Sequence, residues 1–543
     1  MPRTTYDYII VGAGAAGAIV AARLSEDSAV RVLLVESGPR SRSVLVSMPA
    51  ALAFPLTNPK LTWSFDTGPE PYLDGRLITH VRGRLLGGST SVNGMVYVRG
   101  NRRDYDDWAA EGLAGWSYAD CLPYFKKLEA YDGGEDAFRG RSGPVRITRA
   151  PARNPMFEAF LEAGQQAGLP LADDYNGARQ EGVTVYQTNI DRGVRASTAH
   201  AYLKPAAARD NLTICPAATV TRVLFAERTA IGIEMVDARG TAVQVHAARE
   251  VIISCGTYKS PQLLMLSGIG ERQTLERFGI GVVHDNAAVG RNLEDHAAVS
   301  VSYHSARNGV SPGVDLGLLR RAGIGAQWLF LRRGLGATNF WETGAFFRSS
   351  DQADHADIQH EFCPMLGEFA HGEVSVRDGF QYQTCLMRPK SRGYVTLKSA
   401  RFDDAPIIVN NYLQHRDDVR DLGNGVRRTL EMVRQKGWDT LRGAPAEPDL
   451  ARFDDRAMAA WLRQHVGTQY HPSGTCRMGL GEDSVVDGEG RVHGVAGLRV
   501  IDASVIPHVT SGNLNCPTMM VAEKLADRVR NAPALAPEPL ISG

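Results

Sequence analysis

The sequence predicts an α/β fold, with a second domain inserted between parts of the first. Three observations predict it. A strand–turn–helix–strand unit stands near the N terminus, and two more strand-to-helix passages begin near residues 251 and 498. Between these two passages, residues 301–410 show a mixed pattern that is richer in aromatic side chains. Because α/β elements stand on both sides of this segment, we interpret it as part of an inserted domain.

The N-terminal unit has the pattern of a Rossmann-like domain. Tyr6–Val11 is a short apolar strand, Ala15–Leu24 an alanine-rich helix, and Val30–Glu36 is apolar enough for a strand buried on both faces. The turn at 12–17 reads GAGAAG and matches GxGxxG, whose glycines let the backbone approach a pyrophosphate at a helix N terminus. Glu36 follows where a carboxylate can bind both ribose hydroxyls, so NADP is disfavoured and FAD and NAD both stay open.

The later passages are predicted from the same kinds of signal. Val251–Ile253 ends a strand, and Ser260 followed by Pro261 fits the N-cap and first residue of a helix. Leu498–Ile501 is a predicted strand, and Pro517 opens a helix with an apolar face made of Val521, Leu525 and Val529. Residues 531–543 contain three prolines and are predicted to form a flexible tail.

Composition disfavours several classes of function. Lys plus Arg and Asp plus Glu each number 60 in the 543 residues, so nothing favours a nucleic acid or an anionic membrane as the main partner. No apolar run is long enough to span a bilayer, and we recognise no secretory signal. The seven cysteines are dispersed without a metal-ligand spacing, which predicts reduced thiols, no metal and a cytoplasmic location.

Five segments carry a family pattern. They read RGRLLGGSTSVNGMVYVRG at 82–100, GTYKSPQLLMLSGIG at 256–270, VGRNLEDH at 289–296, YHPSGTCRMG at 470–479, and DAS at 502–504 with GNLN at 512–515. In this order, over roughly residues 5 to 530, they resemble the motifs of the glucose–methanol–choline (GMC) oxidoreductase family. The choline-dehydrogenase-like branch is most similar, through GMVYVRGN at 94–101, RASTAHAYL at 195–203 and SVVDGEGRVHGVAGLRVIDAS at 484–504.

The resemblance implies FAD and the GMC fold, a Rossmann-like FAD-binding domain with an α+β substrate-binding domain. We predict the FAD-binding domain at 6–160, 212–300 and 470–530, and the substrate-binding domain at 161–211 and 301–469. The resemblance places the loop at 87–93 beside the isoalloxazine ring. With the N-terminal unit, the predicted FAD-binding residues are Gly12, Gly14, Ala15, Ala16, Gly17, Glu36, Arg82, Gly87, Gly88, Ser89, Asn93, Gly94, Val220 near adenine, and Asp502 and Ala503 near the pyrophosphate and ribitol.

The chemistry that the family implies is alcohol oxidation. This reaction removes a hydride from the alcohol carbon, which a flavin can accept. It also removes a proton from the hydroxyl oxygen, for which imidazole is a suitable base near neutral pH. The resemblance places His471 at the position of this base and Asn515 at the family's second position, where an amide can donate to the alkoxide. Asn515 has the alternative interpretation of a helix N-cap. Three other histidines are interpreted as structural: His296, His465 and His508.

Aromatic and acidic side chains suggest a substrate pocket. The predicted residues are Trp63, Trp341, Glu342, Phe362 and Tyr470. Aromatic rings with a carboxylate can hold a quaternary ammonium by cation–π attraction, although the same rings can fill a core or bind a neutral alcohol. Because Tyr470 and the segment 257–259 depart from the choline-dehydrogenase-like pattern, aliphatic, aryl and polyether primary alcohols also stay open.

The predicted function is FAD-dependent oxidation of a primary alcohol, with a quinone, another carrier or oxygen as electron acceptor. An oxidase that makes hydrogen peroxide is the nearest alternative, and the pair His471 and Asn515 disfavours a lyase or photodecarboxylase. Some family members bond the flavin through a histidine directly before the motif asparagine. Here Val92 precedes Asn93, so we expect non-covalent FAD. Peripheral membrane association and the oligomeric state are left open.

Overall fold

Two seven-stranded sheets organise the chain, and each carries its own hydrophobic core. This computed structural model describes residues 4–41, 43–312, 314, 317–370, 373–446 and 448–539, with only the backbone described for 368–370 and 373–375. Within these described ranges, no helix has the length and apolar character needed to cross a lipid bilayer.

The helices surround both sheets. Their bounds are α1 Ala15–Leu24, α2 Val44–Ser47, α3 Ala53–Leu56, α4 Arg102–Ala110, α5 Tyr118–Leu128, α6 Pro155–Gln166, α7 Lys204–Ala206, α8 Gly256–Leu266, α9 Arg272–Arg277, α10 Leu318–Leu331, α11 Arg416–Val433, α12 Asp455–His465 and α13 Asn515–Val529. Smaller strand pairs lie outside the two large sheets. They are Thr62–Asp66 with Thr79–Gly83, Glu129–Ala130 with Val145–Arg146, Thr148–Arg149 with Gln187–Thr188, Ile190–Asp191 with Val194–Arg195, Ile269–Gly270 with His284–Asp285, Leu366–Ala370 with Glu373–Arg377, and Tyr394–Thr396 with Ile407–Val409.

The first sheet is built on parallel strands. Its order is Leu212–Pro216, Val32–Glu36, Thr5–Val11, Ala242–Ile253, Thr229–Val236 and Thr219–Ala226, with Leu498–Val500 beside the end of Ala242–Ile253. The first four and Leu498–Val500 pair in parallel, and the other two add an antiparallel edge. Every residue of Val32–Glu36 is buried, as expected for a strand covered on both faces. The prediction of a Rossmann-like α/β domain is confirmed.

The second sheet is antiparallel. Its order is Arg442–Pro445, Ala297–Ser305, Gly379–Leu386, Ile358–Cys363, Thr343–Phe347 and Gly182–Val185, with Gly467–Thr468 beside Ala297–Ser305. Side chains alternate between the two faces of such strands. One face carries Val301, Tyr382 and Phe362 side by side and packs against α6, α11 and α12. The residues that directly precede and follow these three along each strand therefore point to the opposite face of the sheet.

The predicted helix start near Ser260 was wrong, because α8 begins at Gly256. The carboxylate of Asp502 accepts from the Gly256 N–H at 2.8 Å, so a distant side chain replaces the local cap. Pro261 therefore lies inside the helix, where it has no N–H for the carbonyl four residues earlier. The Thr475 hydroxyl donates to that carbonyl instead, at 2.5 Å. Both compensating groups come from the C-terminal part of the chain, where local sequence patterns give no sign of them.

The predicted domain division stays a prediction, and two places differ from it in detail. The boundary at residue 160 falls inside α6, a helix that packs on the second sheet. In the predicted flexible tail, residues 531–539 lie against α5: the Leu535 N–H donates to the Tyr124 hydroxyl at 3.2 Å, and Glu538 pairs with Lys126 at 2.8 Å. The last four residues of that tail, 540–543, lie outside the described residues.

Candidate active site

A cavity of about 2070 Å³ is lined by both sheets. Val11 and Glu36, which end parallel strands, line one side, and Ser300, Glu361 and Gln383 of the second sheet line the other. Ordinary ligand pockets measure about 300–1,000 Å³, so this cavity has room for a dinucleotide with a substrate beside it. The carboxyl ends of the parallel strands are also where Rossmann-like sheets bind nucleotides.

The turn after the first strand permits close approach of backbones. Gly12 has a φ of +99°, and a Cβ at this position would lie 2.4 Å from the Ser254 carbonyl oxygen. A Cβ on Gly17 would lie 1.9 Å from the Gly12 carbonyl oxygen. Only glycine therefore lets α1 begin so close to the strand, with its N-terminal N–H groups directed at the cavity, where they can bind a pyrophosphate.

The two glycine-rich loops pack on each other. The Gly87 N–H donates to the Ala13 carbonyl at 2.8 Å, and a Cβ on Gly88 would lie 2.7 Å from the Cα of Gly14. The Glu36 carboxylate accepts from the Ala13 N–H at 2.9 Å, which fixes it at the cavity wall. The loop at 82–94 is thus in contact with the glycine-rich turn at 12–17, although about 70 residues of sequence separate the two segments.

Unpaired buried donors indicate what the cavity accepts. Nε and Nη2 of Arg82 and Nε of Arg84 have no hydrogen-bond partner among the described residues, and both side chains line the cavity. Leaving such donors unpaired is costly, so the site fits a ligand with anionic and carbonyl oxygens. FAD carries both kinds of oxygen. Together with the glycine turn and Glu36, these residues fit FAD.

The structure brings most predicted FAD-binding residues to this cavity. All of them except Gly17 and Gly87 line it, including Val220 on the antiparallel edge and Asp502 with Ala503 after the strand Leu498–Val500. Gly17 and Gly87 stand behind the wall and permit the loop contacts described above. Val92 also lines the cavity.

The predicted base, His471, stands on a strained turn. Tyr470 has a φ of +64°, which residues other than glycine rarely adopt and which often marks functional sites. Asp295 holds this turn, because its Oδ1 accepts from the His471 N–H at 2.8 Å and its Oδ2 from the Thr468 hydroxyl at 2.5 Å. The ring of His471 meets His296, which was interpreted as structural, with the two Nδ1 atoms 3.0 Å apart.

Both imidazoles are held neutral. Burial first, and then His296 and Arg82, lower the pKa of His471 well below its ordinary value. Burial lowers the pKa of His296 to about 4. A neutral ring carries one N–H. In the contact between the two Nδ1 atoms, one Nδ1 therefore carries the proton and donates it to the other. When it resides on His471, the Nε2 of that ring keeps a lone pair, and His471 can then accept a proton from a substrate.

Asn513 is the amide that contacts His471. Its Nδ2 lies 3.2 Å from His471 Nε2 and donates to Glu361 Oε1 at 2.7 Å. The predicted partner, Asn515, also lines the cavity, but no hydrogen bond joins it to His471 among the described residues. Its alternative interpretation as an N-cap was wrong, since Leu514 is the N-cap and Asn515 the first residue of α13. Its side chain remains available to a ligand.

The predicted substrate residues separate into two groups. Trp63, Trp341 and Tyr470 line the cavity. Glu342 and Phe362 do not: Glu342 accepts from the Ala152 N–H at 2.6 Å and from a threonine hydroxyl, and Phe362 packs in the aromatic core of the second sheet. For Phe362 the physical reason is strand alternation, because its neighbour Glu361 faces the cavity and Phe362 therefore faces the core.

Sequence reasoning missed the polar residues of the cavity wall. Glu361 and Gln383 are paired across adjacent strands, and Gln469 directly precedes the turn at Tyr470. All three line the cavity, with Glu361 and Gln469 buried and Gln383 partly buried. The signal was present in the alternation of IQHEFC at 358–363, where Glu361 stands next to the core residue Phe362. It could be used only with the buried face of that strand known.

Comparison with known proteins agrees with this geometry. A family model described as GMC oxidoreductase matches residues 6–298, and a second GMC oxidoreductase model matches 389–522. The chain belongs to the GMC oxidoreductase family. It is 44% identical over 538 residues to an oxygen-dependent choline dehydrogenase of Photobacterium profundum, with 98% of this chain and 94% of the relative covered. A relative of the same name from Pseudomonas fluorescens is 45% identical, with coverages of 97% and 94%.

Solved structures of the family have the same fold. A pyridoxine 4-oxidase from Mesorbium loti superposes with a TM-score of 0.88 at 28% identity, covering 97% of this chain and 100% of the other. A formate oxidase from Aspergillus oryzae gives 0.91 at 28% identity, with coverages of 98% and 99%. The protein is therefore an FAD-dependent enzyme of the GMC fold that oxidises CH–OH donors and is choline-dehydrogenase-like in sequence.

Proposed function

We propose that the enzyme oxidises a primary alcohol to the aldehyde, with His471 as the base. The observation that carries this proposal is an imidazole on the cavity wall that Asp295 and His296 hold in place, with its Nε2 3.2 Å from the Asn513 amide on the same wall. A base must be unprotonated to act, and burial keeps His471 in that state.

Each side chain has a separate task in this proposal. The substrate hydroxyl takes the place of Asn513 at His471 Nε2 and gives its proton to that nitrogen. Asn515 donates to the developing alkoxide, which an amide can stabilise without competing for the proton. Bound FAD supplies the two-electron acceptor for the hydride that leaves the carbinol carbon. His296 keeps the ring of His471 in the required orientation through the Nδ1 contact.

An anaerobic alcohol screen tests this function. Purified holoenzyme is mixed with primary alcohols, and flavin absorbance is followed before and after air is admitted. Choline comes first, because the similar proteins are named oxygen-dependent choline dehydrogenases. Loss of absorbance with alcohol and its return in air, with peroxide formed, is the expected result. No loss with any alcohol, while dithionite still reduces the flavin, would exclude alcohol oxidation.

We propose in addition that FAD is held without a covalent bond. The support is Val92, which lines the cavity directly before Asn93 and offers no nucleophilic atom. Binding then rests on the helix N terminus, Glu36 and the buried arginine donors. A washed protein pellet from acid precipitation should be colourless, with the yellow colour in the supernatant. A yellow pellet would show that the flavin is bonded.

We also propose that α10 docks on an anionic lipid surface. Its outer face is apolar, with Leu318, Leu319 and Phe330 exposed by 84%, 90% and 79%, and Arg320 and Arg333 are exposed at its ends. Apolar side chains flanked by arginine are typical of helices that lie in a membrane interface. Arg321, Ile324 and Gly325 of α10 line the cavity, so docking would bring this part of the cavity wall next to the lipid.

Vesicle sedimentation tests this surface. The holoenzyme should pellet with phosphatidylglycerol vesicles and less with phosphatidylcholine vesicles. The double variant Leu319→Glu with Phe330→Glu should stay in the supernatant, whereas Leu480→Glu should pellet like the wild type. Leu480 is a matched control because it is 73% exposed and lies beside Gly112, on another part of the surface. Equal sedimentation of all three proteins, or of none, would refute lipid docking.

A further inference from the structure

A polar cluster of four side chains stands beside His471 on the cavity wall. We define this carboxylate–amide cluster as Glu361, Gln383, Gln469 and Asn513. All four residues line the cavity. Glu361 sits at its centre: its Oε1 accepts from Asn513 Nδ2 at 2.7 Å and its Oε2 from Gln469 Nε2 at 2.5 Å. Gln469 Nε2 also donates to Gln383 Oε1 at 3.2 Å.

This cluster has more acceptors than donors. Gln469 Nε2 faces Glu361 Oε2, and an ionised carboxylate only accepts, so with Glu361 ionised the amide nitrogen of Gln469 belongs on that side. Its Oε1 is then left buried without a hydrogen-bond partner among the described residues. Glu361 is 6% exposed, and only amides hydrogen-bond to it, with no arginine or lysine among its described partners. A buried carboxylate and a buried carbonyl thus both lack a positive donor.

We propose that the carboxylate–amide cluster binds the protonated amino group of the substrate, which is an amino alcohol whose hydroxyl faces His471. This inference rests on the proposed alcohol oxidation. One amide nitrogen, Asn513 Nδ2, contacts both Glu361 Oε1 and His471 Nε2, so these two atoms lie within about 6 Å of each other. A spacer of two carbons lets the hydroxyl reach His471 while the ammonium reaches Glu361.

The substrate's nitrogen must carry a hydrogen in this geometry. A quaternary ammonium has no N–H for the Gln469 carbonyl or for Glu361, and it would leave that carbonyl unpaired. One aromatic candidate for holding a quaternary ammonium, Trp63, is already engaged by cations of the chain itself. Arg84 and Lys259 already lie over the Trp63 ring, at 4.3 and 4.9 Å from its centroid, so this ring is occupied by cations of the enzyme.

The ionisation of Glu361 gives the site a pH dependence. Burial, its largest cause, raises the pKa of Glu361 to about 7. The titratable groups around it stay away from neutrality: the pKa of His471 is far lower, and those of Tyr186, Cys363 and Cys385 are far higher, Cys363 at about 12. Glu361 becomes anionic as the pH rises through its pKa, so KM for a protonated amino alcohol should fall over that range. KM for a neutral alcohol should not follow this change.

The test compares three primary alcohols with one holoenzyme at about pH 8, where Glu361 is ionised and aliphatic amines keep their proton. They are choline, N,N-dimethylethanolamine, which replaces one methyl group with an N–H, and butan-1-ol. We expect kcat/KM to be about tenfold or more higher for N,N-dimethylethanolamine than for choline, as a hydrogen bond to a charged group supplies. In Glu361→Gln this preference should disappear, mainly through KM, with a smaller loss on butan-1-ol.

Two further variants serve as a control and as a second test of the proposed ammonium site. Glu342→Gln removes a buried carboxylate that does not line the cavity, and it should keep the wild-type ranking of the three alcohols. Gln469→Leu removes the unpaired carbonyl and should reduce the preference for the N–H substrate even if Glu361→Gln fails to fold. A preference for choline in the wild type, or an unchanged ranking in folded Glu361→Gln, would overturn this inference. Failure of every alcohol to reduce the flavin would overturn the proposed function itself.

Discussion

His296 should govern both the rate and the pH profile of the reaction through its contact with His471. The variant His296→Leu removes the Nδ1 partner 3.0 Å away. Losing one neutral hydrogen bond of about 1 kcal/mol lowers the rate about fivefold. A resulting misplacement of the base by about 1 Å would raise the loss to about 100-fold. We therefore expect flavin reduction to slow by about 5- to 100-fold.

The pH profile separates this positioning role from a loss of fold. His296 is the second cause, after burial, of the lowered pKa of His471. Its removal should raise that pKa, so the acid limb of kcat/KM, where the base becomes protonated, should move to higher pH. Stopped-flow flavin reduction across pH measures both quantities, and His296→Asn should partly restore the rate by supplying an amide. A wild-type rate and acid limb in folded, FAD-loaded His296→Leu would refute this reasoning.

Three further results are expected. His471→Ala should slow anaerobic flavin reduction by about 10²- to 10⁴-fold and Asn515→Ala by about 10²- to 10³-fold, with FAD content kept; a wild-type rate in His471→Ala would mean that another group is the base. Thr475→Val should lower the Tm of the holoenzyme, because the carbonyl freed by Pro261 loses its donor at a cost of about 1–3 kcal/mol; an equal Tm would show that water replaces it. Arg82→Gln should reduce FAD retention in gel filtration, since buried donors of Arg82 then no longer meet the cofactor; unchanged retention would assign Arg82 to the substrate.

The sequence alone determined those features that depend on local spacing. The GAGAAG turn, the helix Ala15–Leu24 and the placement of Glu36 predicted the nucleotide site, since glycine and a carboxylate are required at fixed distances from a strand. Long motifs in order then indicated the family, the cofactor and His471. Such patterns can be recognised in the sequence because each of them lies within a single continuous segment of the chain.

Only the tertiary structure decided which side chains meet across the cavity. Asn513, and not Asn515, contacts His471: Asn515 is the first residue of α13, whereas Asn513 lies in the segment before the helix. Glu361 faces the cavity and Phe362 the core, although they are neighbours in sequence, because adjacent residues of a strand point to opposite faces. Which face is buried depends on packing against α6 and α11, and no local pattern in the strand contains that information.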